Sequence, residues 1–120
     1  MRRPFRVMST VFTAVALVGA IGLSSSAFAG DSLEEGKKIS FNKKKGNCLA
    51  CHLIAGGTQS GNIAPPLIAM KERFPDRAAL LAQISDPHAK NPDSMMPPFK
   101  AHGILTPKEL DLVADYIHSL

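Results

Sequence analysis

Cysteine is scarce in this chain of 120 residues, which contains two, Cys48 and Cys51. With no second pair of thiols, their Cys-x-x-Cys spacing has no partner with which to complete a zinc site. Strand patterning is missing too. No segment of useful length alternates apolar and polar residues with a period of two, so the framework that would surround a thioredoxin-like dithiol is absent and the domain reads as all-α. The apolar run from Val11 to Leu23 falls short of the ~20 residues that span a bilayer.

That run has another reading. Arg2, Arg3 and Arg6 precede it and Ala27-Phe28-Ala29 follows it, the order of regions in a secretory leader. We expect cleavage after Ala29, with residues 1–29 removed and Gly30 to Leu120 forming one periplasmic domain; a retained anchor is the competing reading, disfavoured by the shortness of the run. Arg2-Arg3-Pro4-Phe5 is only faintly like a twin-arginine signal and reads as an ordinary n-region. Three of the fourteen basic residues lie in the leader, leaving eleven against ten acidic ones, a net charge near +1. Such a balance gives no ground for a nucleic-acid partner.

What the chain does contain is Cys48-Leu49-Ala50-Cys51-His52. Two thiols two residues apart with an imidazole directly after them form the attachment site of a c-type haem. The sulfurs add to the two vinyl groups on one edge of the porphyrin, and the turn between them swings His52 beneath the ring as proximal ligand. A domain this small buries a modest core, and a flat apolar macrocycle gives its side chains something large to pack on.

The rest of the chain is organised around that motif. Ser32 to Phe41 reads as a short helix with Glu34 and Glu35 early, where the helix dipole favours anions. Lys43, Lys44 and Lys45 crowd a loop that faces water or forms a docking patch. Gly56 to Gly61 mark a loop after the motif, and Pro65-Pro66 lead stiffly into a helical turn containing Leu67, Ile68, Met70 and Phe74. Asp76 caps a helix carrying Ala79, Leu80, Gln83 and Ile84, ended by Asp86-Pro87. Thr106, Pro107 and Glu109 form a capping box for a last helix with Leu110, Val113, Ala114, Ile117 and Leu120 on one face and Leu105 stapled to Leu110.

Electron-transfer haem needs a ligand from its far side, and a thioether there raises the reduction potential relative to a second histidine. Met96 is the candidate, 44 positions after His52 in Met95-Met96-Pro97-Pro98-Phe99, because two prolines present it with little conformational freedom to lose. Met95 is the nearest rival, and in an extended segment only one of the pair faces iron. Met70 among Leu67, Ile68 and Phe74 reads as core, and His88, His102 and His118 are weaker alternatives outside any comparably stiff loop. On the proximal side a carbonyl of Pro65-Pro66 is a good acceptor for the second ring nitrogen of His52.

Together these features resemble a class I cytochrome c domain over essentially all of Gly30 to Leu120. Finer runs, namely Gly61-Asn62-Ile63-Ala64-Pro65-Pro66-Leu67, Arg73-Phe74-Pro75-Asp76, Asn91-Pro92 leading to Met96-Pro97-Pro98-Phe99, and Ile104-Leu105-Thr106 onward, resemble the SoxX family, the small monohaem subunits of thiosulfate-oxidising SoxAX cytochrome complexes. The resemblance implies three to five short helices wrapped around one covalent haem c, attached at Cys48 and Cys51, with His52 and Met96 as axial ligands and the Pro65 carbonyl facing His52. It implies a heterodimer with the haem subunit SoxA, which would carry the L-cysteine S-thiosulfotransferase chemistry that couples thiosulfate to a cysteine of the carrier SoxYZ. This chain would take the two electrons released and pass them to a downstream cytochrome, with no catalytic nucleophile of its own. Ala64 and Lys100 depart from the family, which is expected to have glycine at both positions. A free-standing monohaem carrier is the alternative, and a haem sensor with an open distal site is a third reading.

Overall fold

The computed structural model describes residues 26–120, with side chains from Gly30 onward. The expected leader therefore lies outside the described residues except for Ser26 to Ala29, whose backbone is helical. Among the described residues four α-helices, α1 (Ser26–Phe41), α2 (Met70–Arg73), α3 (Arg77–Ser85) and α4 (Pro107–His118), are joined by long loops carrying two short 3-10 turns, Cys48–Ala50 and Pro87–Ala89. No strand occurs among the described residues, as the missing period-two pattern requires. None of their helices is long and apolar enough to cross a membrane.

Helix α1 starts six residues before the expected Ser32. Nothing in Ser26-Ala-Phe-Ala-Gly-Asp31 stops a helix, and its alanines favour one. Glu34 and Glu35 are consequently not in the first turn, so the expected stabilisation at a helix N-terminus is replaced by an i,i+3 approach of Lys38 to Glu35 at 3.8 Å.

The frame is the crossing of α1 on α4. At Gly36 a side-chain carbon would run into the backbone carbonyl of Leu112 and the Cβ of Tyr116, so the two helices meet backbone to backbone. One turn on, Ser40 is fully buried and returns its hydroxyl to the Gly36 carbonyl at 2.8 Å. Phe41 meets Tyr116 edge to face, centroids 6.2 Å apart.

Local signals define α3 and α4 as expected. The Asp76 carboxylate accepts from the Ala78 amide at 2.9 Å, and α3 buries Leu80 and Ile84. In the capping box of α4 the Thr106 hydroxyl accepts from the Glu109 amide and Glu109 accepts from the Thr106 amide, at 3.2 and 2.9 Å. Arg77 ties α3 to α4 through Asp115 and Asp111, and the Asp115 carboxylate holds the guanidinium protonated even above its ordinary range. Leu105, Leu110, Val113 and Ile117 join Met70, Leu80 and Ile84 in one core.

Lys45 reaches Glu109 at 2.8 Å, so one of the three loop lysines is an anchor while Lys43 and Lys44 stay exposed. Lys45 first, and the Thr106 amide second, pull the Glu109 pKa from 4.5 down to about 2. Because the folded state prefers the ionised carboxylate, this contribution to stability is present above pH 4.5 and is lost as pH falls toward 2. Glu109→Gln should therefore be less stable than wild type at neutral pH, with the gap narrowing in acid. Denaturant midpoints measured from pH 7 to pH 2 read this directly.

Candidate haem site

After α1 the chain reverses through residues 42–47. The Asn42 carbonyl accepts from Lys45 and Asn47 at 3.0 and 3.1 Å, its side chain accepts from Lys44 at 2.9 Å, and Gly46 donates back to Ile39 at 3.1 Å. Asn47 sits in the left-handed region at φ 49°, which asparagine tolerates better than most residues. That bend delivers the 3-10 turn Cys48–Ala50, where the His52 amide closes on the Cys48 carbonyl at 2.9 Å and all three residues of the motif share one turn.

The following loop is pinned to the motif. Gly61, Ala64 and Leu67 donate to the carbonyls of Leu49, Cys51 and Leu53 at 2.7, 3.0 and 2.9 Å. At Gly61 a side chain would strike the Ala50 carbonyl, so this glycine is what lets the loop lie flush. Ala64 is not among the residues with positive φ, so its backbone makes no demand for glycine. This pinning sets the Pro65 carbonyl 2.7 Å from His52 Nδ1. A carbonyl only accepts, so Nδ1 is the donor, and in the neutral ring Nε2 is the nitrogen that keeps its lone pair.

Cys48, Cys51, His52, Met95 and Met96 all line one cavity of about 800 Å³, within the ~300–1,000 Å³ of cofactor sites. The two methionines differ in exposure. Met95 is 83% exposed, whereas Met96 is half-buried and packs on the core. Met70 is core, as expected, although it also touches the cavity. None of His88, His102 and His118 lines it; His118 instead bonds the Phe74 carbonyl through Nε2 at 3.0 Å.

The donor set and the lining fit a haem. Phe74, Leu80, Phe99 and Val113 give the wall an apolar surface for a macrocycle, and the two thiols stand free at its edge. Burial pushes the Cys48 thiol up to about 11, against a weaker opposing hydrogen bond from Ser40. Among the described residues no group of three or more His, Cys, Asp and Glu is placed as metal ligands would be.

Arg73 was visible in the sequence only as part of a run. It lines the cavity and donates to the Pro66 carbonyl at 2.7 Å, bracing the segment that presents Pro65 to His52. Only its contact with a folded-back loop reveals this, and no local pattern announces it.

An all-helical shell whose apolar cavity has Cys-x-x-Cys-His on its rim defines an electron-transfer haem protein of the c type. Residues 33–120 match the cytochrome c family, and the chain belongs to it. The family binds haem c covalently and transfers electrons. An uncharacterized lipoprotein of Aquifex aeolicus (strain VF5) is 38% identical over 80 residues, covering 62% of this chain and 37% of that protein. The chain thus spans well under half the length of that relative.

Proposed function

We propose that this chain is the monohaem electron-transfer subunit of a periplasmic SoxAX-type complex, exported by residues 1–29 and paired with a SoxA-like haem subunit. The observation that carries the electron-transfer core of this reading is the convergence of Cys48, Cys51, His52 and Met96 on one apolar cavity. Cys48 and Cys51 would hold the haem by thioethers, and His52 Nε2 and the Met96 sulfur would be the protein's two donors to its iron. When bound, haem supplies reversible one-electron chemistry. The protein's part is to fix the His52 tautomer through Pro65, to hold Met96 on a stiff loop, and to surround the site with apolar side chains that limit solvent access and so tune the potential.

The SoxAX assignment is supported by where its sequence signature falls. Ile63, Pro65, Arg73-Phe74 and Met96-Pro97 with Phe99, which carry the resemblance to SoxX, are all residues of the cavity wall. In that setting thiosulfate would be coupled to the SoxYZ cysteine on the partner, as L-cysteine S-thiosulfotransferase chemistry, and this chain would relay the electrons to a downstream cytochrome. Purifying the chain from its native host by a tag at Leu120 tests the assignment. A larger haem protein should co-purify, and the pair should be reduced by thiosulfate in the presence of the carrier. A haem chain that elutes alone and is not so reduced would instead be a free carrier.

A further inference from the structure

His88 is one of the histidines set aside as ligands, and its contacts give it other work. It lies in the 3-10 turn after α3, where the Asp86 carboxylate accepts its backbone amide at 3.1 Å. Its Nε2 is 2.9 Å from the Ser94 carbonyl, so Nε2 carries hydrogen and donates. The Ser94 hydroxyl in turn accepts the Met96 amide at 3.2 Å. Ser94 is thus held from one side by His88 while it holds Met96 from the other. The turn between is closed by Asn91 donating to Pro87 at 3.1 Å and Ser94 donating to Asn91 at 3.0 Å. Beyond Met96, Pro97 and Pro98 have no amide hydrogen to give, and the loop is next tied through the Pro98 carbonyl, which accepts from His102 at 3.0 Å, and through Lys100, which donates to the Ser85 carbonyl at 3.1 Å.

We propose that His88 is the positioning residue for the distal sulfur: by pinning Ser94 it fixes the acceptor of the Met96 amide, and so keeps the Met96 side chain packed on the core at the cavity, where its neighbour Met95 is left largely exposed. The inference rests on Met96 being the distal ligand. One hydrogen bond that preorganises a ligand should shift its competition with an external ligand by about twofold to tenfold.

The test uses the intact ferric holoprotein titrated with imidazole, following loss of the near-infrared charge-transfer band of sulfur ligation. His88→Ala should lower the half-saturating imidazole concentration by about twofold to tenfold. His88→Gln, whose amide also donates, should restore much of it. Ser94→Ala, which spares the His88 bond and removes only the hydroxyl, should move in the same direction as His88→Ala. Equal imidazole affinity in wild type and His88→Ala, or no recovery in His88→Gln, overturns the proposal while leaving Met96 as ligand. A wild-type protein without the band, or a Met96→Ala protein that keeps it, overturns the ligand assignment and this proposal with it.

Discussion

Met96→Ala should abolish the near-infrared charge-transfer band of the ferric protein, lower its reduction potential by on the order of 100 mV within the ~0.8 V that axial ligation spans, and let carbon monoxide bind the ferrous form. Met95→Ala should leave all three close to wild type. The contrast follows from placement, because Met95 is 83% exposed and Met96 packs on the core beside the cavity. The two side chains are adjacent and chemically identical, so composition and general perturbation of the loop are matched between the variants. If Met95→Ala alone lost the band, the ligand would be the neighbouring sulfur.

The second large effect is on stability and lies away from the cavity. In an exposed helix, replacing glycine by alanine gains up to about 1 kcal/mol. At Gly36 the new methyl would meet the Leu112 carbonyl and the Tyr116 Cβ, and a backbone carbonyl cannot move aside by changing rotamer. Overpacking of this kind costs typically 1–3 kcal/mol and sometimes more, which outweighs the propensity gain. Gly36→Ala should therefore destabilise the holoprotein by about 2 kcal/mol and lower its melting temperature by on the order of 10 °C. Gly30→Ala, at the expected first residue of the mature chain where nothing lies within 4 Å, should show no such loss. Thermal melts of the two variants decide it, and equal melting temperatures would mean that the helices do not cross in contact at residue 36.

Gly36 also shows where the sequence stops speaking. Its place within a helix is readable, but its necessity depends on a partner helix far along the chain. The same holds for Lys45, which looked like one of three solvated charges until α4 brought Glu109 to it, and for Arg73 and His88, whose acceptors are backbone carbonyls exposed only by loop geometry. What was legible was local. The capping box of α4 uses residues three apart, the Asp76 cap uses its own next turn, and the cysteine-histidine motif closes within five residues. Pro65 as the acceptor for His52 was legible through chemistry, since a proline carbonyl accepts without an amide of its own to compete. The start of α1 was misplaced because a helix boundary needs a stop signal, and Ser26 to Asp31 offers none.

Covalent attachment of the haem through Cys48 and Cys51 is read by extracting purified holoprotein with acidified acetone. Wild-type polypeptide should precipitate coloured, with haem absorbance retained after denaturation, and Cys48→Ala/Cys51→Ala polypeptide should precipitate colourless. Haem leaving the wild-type chain for the acetone phase would contradict it.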